Sequence, residues 1–581
     1  MPEQIEALKV RVESSKLVKP LYKGEPPCAD LCIPLSVFDK ITCNNYMAVI
    51  YAFEPPSPSN SDFEKGLATA MFEYREWAGR LREDARGEPV ILLNDTGARF
   101  VEASSDAVLD RTVLLGPSPT LLPLSPCIKG VEELLLVQLT RFACGTLVVG
   151  FTTHHLIADG NAASKFLVAW GLATRGLPMD RRPLHDRGRF IPRNPPRVEF
   201  EHRWVEFKPK KASDTEDLPL TADIVIHKAH FTREFLESLK AKASLGADLS
   251  YSSFESLMAH LWRVVTKARG LDERISSQVR ISVDGRARLR PSVPDEYFGN
   301  LVLWAFPRAK VGDLVNKPLQ FAAALVREGI TRLDDGYFRS FIDFASSETV
   351  KEESLEATAE VNERVMIPNL EVHSWLRFPF RDVDFGGGNP FLFMPTYTRE
   401  EGMMFFLPSA IGDRSIEVYV HRNRATNALF LRLLKLRKVL LPLPSASSST
   451  RLYHRAAVSS SPRRPQSWPS PLAYIRSWYF LPASPRQCTT SAVVPSIERS
   501  TASIAKPYSS VLSFLAIYDC RPSLLITDHR RNSRPITNSS LSNDIKFPSC
   551  ERTFKGHRLL PPSASITIVS LLAAYSSPSF P

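Results

Sequence analysis

The sequence predicts an α/β fold with two domains in residues 1–421, followed by a tail of different composition. Three observations predict it: segments with strand alternation, segments with helical spacing and recognisable ends, and a basic connection rich in proline. That connection spans 178–217. We therefore expect an N-terminal domain at 1–177, a crossover linker at 178–217, a C-terminal domain at 218–421 and a tail at 422–581.

Apolar residues alternate with polar ones in two neighbouring segments, 132–140 and 146–153, and each pattern predicts a strand. Cys144 and Gly145 lie between them and suit the turn of a hairpin. A helix is predicted next, ending near Gly176, which can serve as its C-terminal cap. Its apolar residues recur at helical spacing: Ala163, Phe166, Leu167 and Trp170.

Two further helices are predicted in the C-terminal domain, at 232–243 and 252–268. The second has the stronger signal, because Ser252 and Glu255 have the spacing of a capping box. An apolar stripe follows at Phe254, Leu257, Met258, Leu261 and Val265.

Composition bounds the class of protein. The chain has 581 residues, 44% of them hydrophobic and 23% charged, which is typical of globular proteins. It has no run of eighteen apolar residues and no signal-peptide pattern at the N-terminus, so we expect no membrane association and a cytoplasmic location. The eight cysteines are scattered without a CxxC pair, which favours reduced thiols over a disulfide or zinc framework.

The net charge of +11 lies in the tail. Residues 422–581 contain 22 lysines and arginines against 5 acidic residues, whereas residues 1–421 contain 51 against 57. We therefore expect no specific nucleic-acid partner. The tail also has 30 serines, 17 prolines and one glycine, too many chain breakers for a cooperative core. It is typical either of a disordered extension or of a gene-model artefact that translates non-coding sequence.

The segment with the clearest chemistry joins the predicted hairpin to its helix and contains His154, His155, Asp159 and Gly160. A neutral imidazole at a strand end can act as a general base near pH 7. Asp159 can stabilise the turn by accepting N–H bonds or by pairing with an arginine, and Gly160 permits a close backbone turn. Two adjacent histidines could also ligate a metal, but we see no further cluster of ligands and expect none.

This HHxxxDG segment resembles the HxxxD signature of the plant BAHD acyl-CoA acyltransferases. Three further motifs occur in that family's order and approximate spacing, and the likeness covers about residues 5–421. They are Tyr297-Phe298-Gly299-Asn300 after Asp284-Gly285-Arg286-Ala287-Arg288, Asn369-Leu370 to Trp375, and Asp384-Phe385-Gly386-Gly387-Gly388. Two departures stand out: Gly387 replaces a tryptophan of the family's DFGWG motif, and the basic tail replaces the expected closing helix after 416–420.

The resemblance implies a chloramphenicol-acetyltransferase-like fold of two mixed-sheet domains, with a channel at their interface. It implies transfer of a hydroxycinnamoyl or benzoyl group from acyl-CoA to a primary amine such as agmatine or tryptamine. No permanently bound cofactor and no covalent acyl-enzyme are implied, and we expect a monomer. By the same resemblance His155 is the general base and Asp159 an orienting residue, paired with either Arg286 or Arg288.

The resemblance also assigns supporting residues. Substrate or coenzyme contacts are expected at Ser252, Ser253, Asn300, His373 and Ser374. Structural roles are expected for Gly160, Arg286, Arg288, Asp384, Phe385, Gly386 and Gly388. Three alternatives stay open: an ester-forming enzyme with an alcohol acceptor, a peptide-synthetase condensation domain, and a relative impaired by Gly387 and by the altered C-terminus.

Overall fold

Two mixed β-sheets form the centre of the described part of the chain. The computed structural model describes residues 8–28, 31–109, 116–179, 181–210, 224–360, 366–410 and 412–435. The strands are β1 (Arg11–Val18), β2 (Leu31–Pro34), β3 (Tyr46–Phe53), β4 (Arg80–Glu83), β5 (Pro89–Leu93), β6 (Ala98–Ser105), β7 (Leu135–Phe142), β8 (Leu147–His154), β9 (Phe207–Pro209), β10 (Ile224–Phe231), β11 (Ser276–Asp284), β12 (Val302–Ala305), β13 (Arg308–Lys310), β14 (Leu355–Ala357), β15 (Leu370–Ser374), β16 (Leu392–Pro395), β17 (Met403–Pro408) and β18 (Ile416–Asn423).

The helices lie mainly between these strands in the chain. They are α1 (Val37–Lys40), α2 (Asn60–Glu73), α3 (Gly160–Thr174), α4 (Arg233–Ala243), α5 (Ser253–Arg269), α6 (Val311–Asn316), α7 (Leu319–Thr331), α8 (Asp335–Ala345), α9 (Thr349–Glu352) and α10 (Arg424–Lys435).

The first sheet has six strands in the order β1-β6-β7-β8-β3-β16. Strands β6 and β7 are parallel and the other neighbours antiparallel. Every residue of β8 is buried, because this strand lies inside the sheet and helices α2 and α3 belong to the same core. The end of β8 is therefore a rigid support for the loop that follows it.

The second sheet has seven strands. Six follow the order β10-β18-β17-β15-β11-β12, and β13 pairs with β11. Strand β15 runs parallel to both β11 and β17. Helices α5, α7 and α8 contribute to a second core with these strands. Both sheets are mixed, as the fold prediction requires.

The local predictions are confirmed where they can be checked. Strands β7 and β8 pair antiparallel, and Gly145 at their turn has a φ of +84°. Helix α3 begins one residue after Asp159, and Gly176 beyond its end has a φ of +69°. Helix α5 has the expected capping box at Ser252, and α4 is capped by the Thr232 side chain.

The chain does not divide cleanly at the expected domain boundaries. Strand β16, from the expected C-terminal domain, pairs with β3 and completes the first sheet. Phe385 and Phe393 likewise lie in the first core. The pairing of β16 with β3 is a contact between segments far apart in the chain. The sequence pattern does not predict it, because a strand of four residues is too short to show a clear alternation.

The expected start of the tail at residue 422 also differs from the structure. Strand β18 continues to Asn423, and α10 follows it directly. Phe430 of that helix is fully buried, and the guanidinium of Arg422 lies 4.0 Å from its ring centroid. The first basic residues of the expected tail therefore belong to the fold. Helix α10 closes the folded part of the chain. The remainder of the predicted tail, 436–581, lies outside the described residues.

Among the residues that the structure describes, no helix is long and apolar enough to cross a bilayer.

Candidate active site

His155 lies in the loop between β8 and α3, directly after the buried strand. Its backbone is held on both sides: its N–H donates to Asn45 O at 2.9 Å, and its carbonyl accepts from Asn300 Nδ2 at 2.9 Å. Burial lowers the pKa of His155, and the nearby Asp159 charge opposes that shift only in part. The ring is therefore neutral near pH 7 and can accept a proton.

His154 has a different environment. Its side chain is buried, and its ring packs edge-on against Tyr46 with a centroid distance of 4.9 Å. Burial lowers the pKa of His154 to about 4, so it is neutral at physiological pH. This residue packs in the fold.

Asp159 is saturated with hydrogen bonds. Its Oδ1 accepts from Ala162 N at 3.0 Å, which caps α3, and its Oδ2 accepts from Leu301 N at 3.1 Å. Arg286 donates to both oxygens, at 2.8 Å and 3.1 Å. A carboxylate whose two oxygens accept from four donors is fixed in place and orients the loop.

The choice between Arg286 and Arg288 is decided by these contacts. Arg286 is the partner of Asp159, and it also donates to Tyr297 O at 3.1 Å. Arg288 instead donates to the backbone carbonyls of Ile330 and Leu333. Both arginines follow β11, but their side chains have different partners, which the sequence does not reveal.

A second support of the loop was not predicted from the sequence. Asp39 accepts from Asn300 through both Asn300 N and Nδ2, each at 2.9 Å, and from Arg187 Nη1 at 2.6 Å. Arg187 also donates to Ile157 O at 2.6 Å, inside the histidine loop. The crossover connection thus supports the loop through Arg187. The only sequence signal was the capping-box spacing of Ser36 and Asp39, which predicts a helix start and no more.

A cavity of about 1130 Å³ opens beside His155. Residues from both sheets line it, so it lies where the two halves meet. The lining includes Gly160, Ser252, Arg286, Arg288, His373, Ser374 and Trp375. Gly160 is closely packed there, because a Cβ atom would lie 2.8 Å from the Phe378 ring.

Two predicted contact residues are placed elsewhere. Ser253 is the first residue of α5 and does not line this cavity, and neither does Asn300. Asn300 is fully buried and acts on the site through the backbone of His155 and through Asp39. Family position alone could not separate a residue in the cavity wall from one just behind it.

The DFGGG segment forms a turn outside the cavity. Asp384 Oδ1 accepts from Gly386 N at 2.7 Å and Gly388 N at 3.0 Å, and Asp384 pairs with Arg175 at 2.6 Å. Both glycines have positive φ, +119° and +97°, which favours glycine there. Phe385 packs on Trp170 with a centroid distance of 4.7 Å.

Gly387 is also fitted to its surroundings. A Cβ atom at this position would lie 2.3 Å from Pro56 O. The backbone of 386–388 therefore approaches the first half of the chain more closely than any side chain would allow.

The sequence also did not predict two charged residues of the second sheet that lie near the cavity, Glu371 on β15 and Arg280 on β11. Glu371 lies 3.3 Å from His373 Nε2 and 3.5 Å from Arg280 Nη1. Although burial opposes it, the Arg280 charge and the His373 hydrogen bond lower the pKa of Glu371 to about 2. A buried negative charge therefore lies directly beside one of the histidines of the cavity.

Comparison with known proteins agrees with this geometry. A family model described as the Transferase family matches residues 8–431. Agmatine coumaroyltransferase-1 of Hordeum vulgare is 51% identical over 423 residues, covering 71% of this chain and 96% of the relative. Agmatine hydroxycinnamoyltransferase 1 of Oryza sativa subsp. japonica is 51% identical over 71% of this chain and 95% of the relative.

Solved structures show the same fold. The crystal structure of vinorine synthase has a TM-score of 0.56 at 20% identity and covers 74% of this chain and 98% of its own. F. graminearum TRI101 complexed with coenzyme A and deoxynivalenol has a TM-score of 0.55 at 17% identity, covering 70% and 97%. This chain therefore has the fold of these solved structures, with a histidine loop at a cavity between two mixed sheets. The chain belongs to the Transferase family, the BAHD acyltransferases that its motifs resemble. The predicted family, fold and enzyme class are thereby confirmed.

Proposed function

We propose that this protein transfers a hydroxycinnamoyl group from its coenzyme A thioester to a primary amine, releasing an amide and free coenzyme A. The observation that carries the proposal is the position of His155 in the wall of a cavity of about 1130 Å³. Agmatine and putrescine hydroxycinnamoyl transferases that share 50–51% sequence identity with this chain support the same reaction.

The proposed chemistry needs one general base and no covalent acyl-enzyme. A thioester is already activated and a thiolate leaves readily, so the main tasks are to position the amine and to remove its proton. His155 takes a proton from the attacking nitrogen and returns it to the departing sulfur. Asp159 is a positioning residue, because Arg286 and backbone N–H groups occupy its oxygens.

The acceptor class follows from the relatives and from the charge beside the cavity. Transferases for agmatine and putrescine are 49–51% identical to this chain, whereas those for tryptamine are 33–37% identical. We therefore place agmatine or putrescine ahead of tryptamine, and a hydroxycinnamoyl ahead of a benzoyl donor. The ionised Glu371 favours a cationic amine acceptor over the neutral alcohol that an ester-forming enzyme would use. Shikimate O-hydroxycinnamoyltransferase of Nicotiana tabacum is 33% identical to this chain.

Two findings weigh against an impaired relative. Gly387 is accommodated by close packing on Pro56, and α10 closes the second core through the buried Phe430. We propose a cytoplasmic monomer that binds acyl-CoA as a substrate and needs no permanent cofactor. Ser252, His373 and Ser374 are proposed to contact the substrates, because they line the same cavity as His155.

The test is direct. Purified protein is supplied with p-coumaroyl-CoA and either agmatine or putrescine, and free thiol and amide product are both quantified. We expect equal amounts of the two products, and a loss of about 10²- to 10⁴-fold in kcat for His155→Ala. His230→Gln serves as a control, because His230 is not among the residues that line the cavity. Undiminished turnover by His155→Ala, or no turnover by folded wild-type protein with any amine, contradicts the proposal.

A further inference from the structure

The cavity contains a second histidine for which the one-base mechanism has no use. His373 lies on β15, in the interior of the second sheet, and lines the cavity together with His155. Its Nε2 is 3.3 Å from Glu371 Oε1, and its ring stacks on Phe405 with a centroid distance of 5.2 Å. Glu371 and His373 are two residues apart on one strand, so their side chains project from the same face of the sheet.

An amine acceptor makes a demand that an alcohol does not. An alkyl ammonium group has a pKa of about 10.4, so only about one molecule in 10³ is neutral at pH 7. The nitrogen must lose one proton before it can attack and a second as the amide forms. His155 accounts for the second proton, which it passes to the coenzyme A sulfur, and the first proton has no acceptor.

We propose that His373, paired with Glu371, accepts the first proton from the bound ammonium group of the acceptor. This inference rests on the proposed amine acyltransferase activity. With the ring proton on Nε2, which faces Glu371 Oε1 at 3.3 Å, the basic lone pair of the ring is on Nδ1. Protonation at Nδ1 gives an imidazolium paired with a carboxylate, which is a favourable state.

The protons balance in this scheme. The ammonium gives one proton to His373 and becomes a neutral amine. The amine nitrogen bonds to the thioester carbon, and its second proton passes to His155. The carbon–sulfur bond then breaks, and His155 protonates the thiolate to give free coenzyme A. His373 releases its proton to solvent, so each turnover yields one amide, one thiol and one proton.

Glu371 is the carboxylate in ion-pair contact with His373, and several other titratable groups surround the ring. Burial lowers the pKa of His421 to about 3 and raises that of the Cys43 thiol to about 12, so both are neutral near pH 7. Burial also raises the pKa of Glu400. Arg280, on the neighbouring strand β11, has its Nη1 3.5 Å from Glu371 Oε2, the oxygen that does not contact His373. Its positive charge helps to keep the carboxylate ionised.

The experiment compares pH profiles between pH 6.5 and 9, with putrescine as acceptor and p-coumaroyl-CoA as donor. For the wild type we expect log kcat/KM to be nearly flat between pH 7 and 9, because the ammonium is deprotonated on the enzyme. For His373→Gln we expect a loss of at least tenfold at pH 7 and a rise of about tenfold per pH unit, because only the neutral amine then reacts. Glu371→Gln is expected to change the slope in the same direction.

A second acceptor separates proton transfer from a structural role. The aminooxy analogue of putrescine has nearly the same shape, but its reacting nitrogen is neutral at pH 7. With it, His373→Gln should lose less activity than with putrescine, and its pH profile should be parallel to that of the wild type. His230→Gln is the matched control with both acceptors, because that histidine is not among the residues that line the cavity.

Three results would overturn the inference. They are a wild-type slope near one, an unchanged slope in His373→Gln, and an equal loss of activity with the aminooxy analogue. The wild-type slope needs no variant, so the inference can fail even if His373→Gln does not fold. Failure of the proposed function looks different, because the wild type then acylates neither acceptor.

Discussion

The guanidinium group of Arg286 binds both carboxylate oxygens of Asp159, with distances of 2.8 Å from Nη1 to Oδ2 and 3.1 Å from Nη2 to Oδ1. Each side chain is only 4% exposed, so neither charge has access to water as a substitute partner. The pair joins the histidine loop of the first half of the chain to the segment after β11 in the second half. The geometry of His155 therefore depends on residues more than a hundred positions away.

Removal of this arginine should destabilise the protein strongly. We expect Arg286→Ala to lower the free energy of unfolding by about 3–5 kcal/mol, because it leaves the Asp159 carboxylate buried without its cation. Urea unfolding measures the change. Arg274→Ala is the control, since that arginine is 90% exposed and pairs with the neighbouring Asp272, and its unfolding midpoint should match the wild type. An equal midpoint for Arg286→Ala would show that the pair contributes nothing.

The buried histidines should make stability depend on pH. Burial holds the pKa of His154 at about 4, whereas the unfolded chain takes up that proton at about 6.5. The unfolded state therefore binds more protons below pH 6.5, and the His154 contribution, fully present above that value, is lost as the pH falls toward 4. We expect a loss of about 2–3 kcal/mol in this window, measured by denaturant unfolding at several pH values.

The matched variant for this effect is His154→Phe, which keeps an aromatic ring against Tyr46 but cannot take up a proton. Its stability should decline less than that of the wild type between pH 6.5 and 4. Parallel declines in the two proteins would mean that His154 is not the group that titrates.

The glycine at 387 should resist replacement. Gly387→Ala places a Cβ atom 2.3 Å from Pro56 O, and we expect a loss of about 1–3 kcal/mol from this overpacking. Gly188→Ala is the control, because a Cβ atom there meets nothing within 4 Å and the backbone is not in the left-handed region. Thermal unfolding should separate the two. If Gly387→Ala melts with the wild type, the contact with Pro56 is more yielding than the structure indicates.

Helix α10 should be necessary for the stability of the second core. Phe430 is fully buried and packs in that core, so Phe430→Ala should lower the free energy of unfolding by about 3–5 kcal/mol. Leu429, the preceding residue, is 45% exposed, and Leu429→Ala should have a small effect. Equal effects of the two substitutions in chemical denaturation would argue that the helix does not pack as described.

The sequence by itself determined the local elements of this protein. The β7–β8 hairpin, the start of α3 after Asp159 and the capping box of α5 are each encoded within a few neighbouring residues. Alternation, helical spacing and cap residues report hydrogen bonds that close over short distances, so they can be read without tertiary contacts. The same holds for the histidine motif, whose chemistry follows from residue types in one loop.

Only the tertiary structure decided which distant residues meet. It selected Arg286 over Arg288 as the partner of Asp159, added β16 to the first sheet, and placed the Glu371–His373 pair at the cavity. It also assigned the segment 422–435, basic like the tail that follows it, to the fold. These outcomes depend on packing and on buried charge pairing between segments far apart in the chain, which have no periodicity and no fixed spacing in the sequence.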